Sequence, residues 1–476
     1  MSKRPVLIFW MLLLWASFSV VAQTHRPDDF HKRYTLKQVV VMSRHNIRSP
    51  LSGRQSALQR ITPHEWYQWS SAPSELSLRG GALETMMGQY FRKWLVSEGL
   101  MTENEQPGEG TFRFYANSMQ RTIATAQYFS SGMLPVANIN IEHHYDVGTM
   151  DPVFTPKLTR DDAEFQQAAV RQVMDTFGHG TLEGIGERMQ ANYKLLQRVL
   201  DMDQSAACMQ GDTCSFRTDN TVMVLANGKE PGSQSDLKLA CSVADALVLQ
   251  YYEEPDERKA AFGHDLSRSD WEMISAVKDY YIDVLFTTPL IAINVAHPLL
   301  QELLQELQTD GRTFSFLCGH DSNLSSVLAA LGVDEYALPG AIESKTSIGC
   351  KLVIEKWQDN DGKEYAALNM VYQTVDQLRQ MPLLTLDNPP AVFSIRLAGL
   401  TANADGLYLL SDVEQRFQER IAAYDETPTA INSTATEAAG HQAVIYDLQG
   451  RRLDGSPQRQ RIYIRDRQKV IRQSQK

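Results

Sequence analysis

Residues 39–50 read VVVMSRHNIRSP. The apolar run that opens this stretch has the continuity of a strand covered on both faces. It ends directly in Arg44, His45 and Arg48. A chain leaving a buried strand normally enters a plain polar turn, so two permanent cations around an imidazole need another explanation. The layout recurs at two remote places. In TFRFYANSMQRTIATAQYF, residues 111–129, Phe112 and Phe114 alternate like a half-buried strand. Asn117 or Ser118 is placed to cap a helix that carries Ile123, Ala126 and Phe129, with Arg121 at its start. In TFSFLCGHDSNLSSVLAALGV, residues 313–333, a short apolar strand ends at Gly319 and leads into His320 and Asp321. Leu324, Val327, Leu328 and Leu331 then follow at helical spacing. Open α/β sheets bind ligands beyond the carboxyl ends of their strands, and helix N-termini there add partial positive charge. Three strand ends of this kind predict one shared pocket.

Between the second and third segments the chain turns helical. ERMQANYKLLQRVLDM, LKLACSVADALVLQYY and SDWEMISAVKDYYIDVLF each place apolar residues on one face. After the third segment, CKLVIEKW, YAALNMVYQ and VFSIRLAGL alternate as strands do. The expected architecture is α/β: a mixed central sheet flanked by helices, built from residues 23–154 and 291–420. An α-helical cap, residues 155–290, is inserted and roofs the pocket. YDETPTAINSTATEAAG reads as a flexible linker, residues 421–440. Residues 441–476 form a basic tail with short strand-like pieces.

With 43% hydrophobic and 22% charged residues, the 476-residue chain has the composition of a soluble globular protein of more than one domain. Its formal net charge of −11 argues against nucleic acid as a partner. Lys3 and Arg4, the run VLIFWMLLLWA and the small residues Val20 and Ala22 have the form of a secretory signal over residues 1–22, cut between Ala22 and Gln23. The run is shorter than the ~20 residues that span a bilayer, so no membrane span is expected after cleavage. Export permits disulfides. Cys208 and Cys214 close the polar loop CMQGDTC and are expected to pair, whereas Cys241, Cys318 and Cys350 read as small buried residues. No segment has zinc-ligand spacing, and no metal or other cofactor is expected.

Arginine presents a planar fork that matches phosphate oxygens. Neighbouring cations disfavour an imidazolium, so His45 should keep a free lone pair and can attack a bound phosphorus. Arg44, Arg48 and Arg121 then bind phosphate, His320 donates to another of its oxygens, and Asp321 gives a proton to the leaving alkoxide. Such transfer consists mainly of positioning and charge neutralisation. Each residue has a plainer alternative: the arginines could pair with carboxylates, and Asp321 could merely cap its helix. His143 and His144 read as structural or surface groups.

RHNIRSP resembles the RHxxRxP signature of the histidine acid phosphatases, GHDSN resembles that family's HD motif, and NSMQRT is similar to the segment carrying its third phosphate-binding arginine. The resemblance covers roughly residues 35–400. It implies a phosphoglycerate-mutase-like α/β domain with a helical cap and a phosphohistidine intermediate. His45 would be the nucleophile and Asp321 the proton donor, with Arg44, Arg48, Arg121 and His320 binding phosphate. Asn46 stands where many members have glycine, which favours the glucose-1-phosphatase-like branch of the family. Leu400 and Tyr408 occupy the places of a further family disulfide. The expected activity is an exported acid phosphomonoesterase acting on a glucose-1-phosphate-like sugar phosphate. A phytase is the alternative within the same chemistry, a non-catalytic phosphate-binding protein the alternative outside it, and export speaks against a mutase. The expected partner is a small phosphomonoester, with a homodimer left open. Location is periplasmic or secreted, or cell-surface through the tail, which resembles C-terminal sorting segments.

Overall fold

The computed structural model describes residues 26–27, 29–51, 57–160 and 162–425, and the backbone of four short strands between residues 445 and 471. The expected signal segment and residues 426–440 of the expected linker lie outside the described residues.

Strand β1 (Tyr34–Arg44) carries the opening apolar run and is buried without a break from Gln38 onward. It lies in the middle of a seven-stranded sheet with β2 (Phe112–Ala116), β5 (Phe314–Gly319), β6 (Lys351–Asp359), β7 (Glu364–Tyr372), β8 (Ala391–Ser394) and β9 (Tyr408–Leu409). The order is β2-β5-β1-β6-β7-β8, with β9 also pairing β7. β2, β5 and β1 run parallel, and the strands from β6 onward pair antiparallel. The sheet is therefore mixed, as expected, and the three strands that end in reactive residues are adjacent.

Both faces of the sheet are covered. On one side helices Leu78–Ser97 and Gln120–Met133 pack Phe91, Phe129 and Met133 against Val39, Val41, Phe314 and Phe316. On the other, helices Pro289–Gln308, Asp321–Leu331 and Leu410–Ala422 bring Leu299, Leu303, Leu324 and Phe417 onto Val40, Met42 and Leu352. Burying a Leu or Phe side chain stabilises by about 1.5–3 kcal/mol, so these two layers fix the strand ends against a rigid support.

A third core is mainly helical. Helices Ala163–Phe177, Gln190–Val199, Asp236–Glu253 and Arg268–Phe286 surround Val173, Leu196, Leu247 and Trp271. A two-stranded hairpin, β3 (Val222–Val224) with β4 (Gly232–Gln234), interrupts them. Cys208 and Cys214 form a disulfide, as their spacing predicts. Cys318 and Cys350 are buried free thiols, and Cys241 is partly buried. Among the described residues no single helix is long and apolar enough to cross a membrane.

Residues 428–476 form a separate unit. Its described backbone makes an antiparallel sheet of β10 (Ile445–Tyr446), β11 (Arg452–Leu453), β12 (Ile462–Arg465) and β13 (Gln468–Ile471), in the order β11-β10-β12-β13.

Candidate active site

Strand register assembles the site. Arg44, the last residue of β1, pairs with Gly319, the last of β5, and Cys318 pairs with both Ser43 and Ala116. The three parallel strands thus stop level, and the chain leaves each of them at the same edge. Residues 45–48, 117–121 and 320–321 emerge there together. The rings of His45 and His320 lie 5.4 Å apart between centroids, and an Arg121 guanidinium nitrogen is 3.5 Å from His320 Nδ1. Arg44 reaches Asp321 at 3.5 Å. Arg48 joins through Asp245, its partner at 3.0 Å, and Lys278, which stands 3.8 Å from Asp245 and 3.2 Å from Asp321. All six residues singled out from the sequence belong to this one cluster.

Two local expectations change. The helix carrying Arg121 begins at Gln120 with Met119 at its cap position, so neither Asn117 nor Ser118 caps it. Asn117 instead accepts the Asp151 N–H through Oδ1 and turns Nδ2 to His320 Nε2 at 2.7 Å. Nor is Asp321 a cap: His320 holds that position, its N–H bound by Asn323 Oδ1, and Asp321 is the first helical residue. There its carboxylate also meets the positive end of the helix.

The tautomers follow from these bonds. His45 Nδ1 lies 2.8 Å from the carbonyl oxygen of Asn46. A carbonyl only accepts, so Nδ1 carries the proton and Nε2 keeps its lone pair. Asn117 Nδ2 and Arg121 both face His320 as donors, at 2.7 Å from Nε2 and 3.5 Å from Nδ1; the shorter contact makes Nε2 the acceptor and leaves the proton on Nδ1, so Arg121 is a neighbouring charge there and not a hydrogen-bond partner. His45 and His320 are both buried. Burial first, then Arg121 and the other nearby cations, push both imidazoles well below the usual histidine range. The sequence reading assigned the neutral His45 to the cations; burial is the larger cause.

Arg121 has no carboxylate within ion-pair distance among the described residues, and its Nε has no partner. Burial and Arg48 together draw its pKa down to about 10, still charged at any working pH. Arg44 is held differently, at 2.6 Å from Glu343 and 2.5 Å from the Thr346 carbonyl. Burial alone would raise the Asp321 carboxyl, but Lys278 and Arg44 outweigh it and hold it well below the usual carboxylate range. An acidic medium therefore does not by itself protonate Asp321.

The loop after β1 is braced from below. Asn46 donates to Glu84 Oε1 at 2.8 Å, and the same oxygen accepts from Lys351 Nζ at 3.0 Å. Asn46 Oδ1 accepts the Ile47 N–H. Gly349 faces this amide with φ +68°, and a Cβ there would lie 2.4 Å from Asn46 Nδ2. Gly80 lets its helix touch the same loop, since a Cβ would lie 2.4 Å from the Ile47 carbonyl oxygen.

The sequence reading missed Lys278, Asp245, Glu343 and Asn117. Lys278 falls on the stripe of Trp271, Ile274 and Leu285, all buried. A lysine on an apolar helix stripe was a readable signal. Glu343, in an irregular loop, gave none. It binds Arg44, Lys278 at 2.7 Å, Tyr252 and the Ile348 N–H, and burial notwithstanding, the two cations draw its pKa to about 2.

Comparison with known proteins accords with this geometry. The histidine phosphatase superfamily (branch 2) matches residues 35–373. A glucose-1-phosphatase of Salmonella typhimurium is 38% identical over 394 residues, 82% of this chain and 92% of the relative. One from Providencia rettgeri is 35% identical over 414 residues, 86% and 97% of the two chains. A Hafnia alvei phytase solved with myo-inositol hexakis sulphate shares the fold at a TM-score of 0.74 and 27% identity, over 81% of this chain and 97% of its own. A cluster of strand-end arginines around two neutral imidazoles, in a chain matched over most of its length, leads to one conclusion: this protein belongs to the histidine phosphatase superfamily, branch 2.

Proposed function

We propose that the protein is an exported phosphomonoesterase that hydrolyses a sugar phosphate resembling glucose 1-phosphate through a phosphohistidine intermediate. The observation that carries the chemistry is the buried, neutral His45 with Nε2 free beside three arginines. The phosphate enters among Arg44, Arg48, Arg121 and the Nδ1–H of His320. His45 Nε2 attacks phosphorus, and the bond to the ester oxygen breaks. The departing alkoxide takes a proton from Asp321, which prevents a strong base from having to leave unaided. Water then attacks the phosphohistidine, gives its proton to the Asp321 carboxylate, and releases phosphate and neutral His45. Asp321 must hold a proton at the first step. An incoming phosphomonoester monoanion brings one, and its charge weakens the pull of Arg44 and Lys278 on the carboxylate. This ties the reaction to acid conditions through the substrate.

A single-phosphate substrate fits the charges that the helical core presents. Lys278 is shared among Glu343, Asp321 and Asp245, and Asp245 is itself a negative group beside Arg48. Extra phosphates on an inositol ring would meet that acid rather than an open cation. The fold likeness to a phytase solved with an inositol hexasulphate favours the second reading, an inositol-polyphosphate phosphatase. Comparing kcat/KM on glucose 1-phosphate and phytate separates them, and a preference for phytate overturns the first. Acid quenching during turnover of 32P-labelled substrate should leave label on the peptide containing His45. Label on a serine or aspartate would discard the mechanism. Secretion after cleavage between Ala22 and Gln23 is tested by the N-terminus of the protein recovered from an expressing cell.

A further inference from the structure

Away from the phosphate site, three side chains from remote stretches converge on one another. His64 follows the short helix Ala57–Arg60, Asp201 closes the helix Gln190–Val199, and His264 lies just before the helix Arg268–Phe286. The Nε2 atoms of both histidines face the same oxygen, Asp201 Oδ2, at 2.7 Å from His64 and 3.2 Å from His264. All three potential ligand atoms lie within 4.8 Å of one another. We propose that His64, Asp201 and His264 form a binding site for a divalent transition metal of the zinc type.

The donor set is the first argument. Two imidazoles and a carboxylate suit zinc and its neighbours better than calcium or magnesium, which prefer oxygen alone. Geometry is the second. Zinc–ligand bonds of about 2.0–2.2 Å in a tetrahedron put ligand atoms ~3.3 Å apart, so His264 already stands at that spacing from Asp201 and His64 must retreat by about half an ångström. The third is support. The His64 ring stacks on Phe262 at 4.9 Å and 13°, and Trp66 meets Phe262 edge-on. The Asp201 and His264 backbones are held in turns by bonds to the Arg198 and Ala261 carbonyls. Asp201 (φ +45°) and Phe262 (φ +54°), whose ring lies under His64, are two of the five non-glycine residues in the left-handed region among the described residues. Side-chain exposures of 28, 29 and 27% leave one side open for entry and for a water as fourth ligand. On binding, each ring is a neutral ligand that offers its Nε2 lone pair to the metal and carries its one proton on Nδ1. It would join three stretches that the chain leaves 137 and 63 residues apart, and so staple the helical core.

The test is titration of the full-length protein, freed of metal with EDTA, with zinc chloride by calorimetry in phosphate-free buffer at neutral pH. Cobalt(II) serves as a spectroscopic probe, and thermal melts are taken with and without zinc. We expect one zinc per chain bound through these residues, a tetrahedral cobalt d–d band, and a melting temperature raised by zinc. His64→Ala combined with His264→Ala should weaken that binding on the order of 100-fold or more, beyond what loss of an outer-shell partner costs, with phosphatase activity retained. His264→Gln keeps a hydrogen bond to Asp201 but is a poor ligand. It should melt like the wild type without metal and lose the zinc response. No zinc binding by the wild type, or equal binding by the double variant, overturns the proposal.

Discussion

Two pairs of histidines meet in this fold, in opposite surroundings. His45 and His320 are buried among arginines, 5.4 Å apart, and each has one nitrogen engaged by an uncharged neighbour. His64 and His264 are 6.5 Å apart, partly exposed, and share one carboxylate. A ring among cations cannot gain a proton and offers its lone pair to an electrophile that arrives with negative charge. Rings around a carboxylate are positioned to share a cation. The residue type is the same; in the two roles we propose, the charge and dryness of the neighbours select nucleophile or ligand.

The largest effect that could break this contrast is at the proposed nucleophile. His45→Ala should lower kcat on the order of 10⁴-fold or more while inorganic phosphate still binds. Turnover equal to wild type would turn the cluster into a phosphate-binding site only. Asp321→Asn should cost roughly 10²–10⁴-fold on a sugar ester, and far less on p-nitrophenyl phosphate, whose leaving group needs no proton. Equal losses on both esters would make Asp321 a structural group. Arg121→Ala should cost about 10²–10³-fold in kcat/KM with no fall in melting temperature, because among the described residues no carboxylate lies within ion-pair distance of Arg121 and its charge opposes Arg48. A large drop in stability would show instead that the arginine holds the fold.

The smallest effect sharpens the comparison through pH. His45 and His320 have folded pKa values below the unfolded ones. As pH falls below about 6.5, the unfolded chain takes up protons that these buried rings refuse, so stability falls. Each ring contributes about 1.4 kcal/mol per pH unit in that window. The depressed carboxylates Asp321 and Glu343 add the same trend only below roughly pH 4.5. Asp279 and Asp283, which burial raises to about 6 and about 7, act in the opposite sense over this range, so the test is a difference: in urea melts between pH 6.5 and 5, His320→Asn should lose less stability than wild type and so shift the slope. A slope unchanged by that substitution would mean that His320 titrates normally in the folded state.

Much of the site was legible because its residues are local to strand ends. VVVM before Arg44, FSFLCG before His320 and FRFYA before Asn117 announce buried strands by composition alone. Strand-end chemistry then follows from how open sheets bind ligands. The helical segments, the later strands and the disulfide between Cys208 and Cys214 were readable for similarly local reasons. The helix starts were off by one or two positions near residues 117–121 and by one at Asp321, because several polar residues there compete for the cap and tertiary bonds to Asp151 and Asn323 decide among them.

The amino-acid sequence by itself determined that arginines, imidazoles and a carboxyl group end three buried strands, since hydrophobic run, turn and helix are written within some twenty residues of one another. Only the tertiary structure decided how those groups are charged. The partners that hold Asp321 ionised, Lys278 and Arg44, reach it from residues 43 and 277 positions away, and the meeting of His64, Asp201 and His264 spans 200 positions. Electrostatic energies depend on distance and desolvation in space, and neither quantity can be read along a chain.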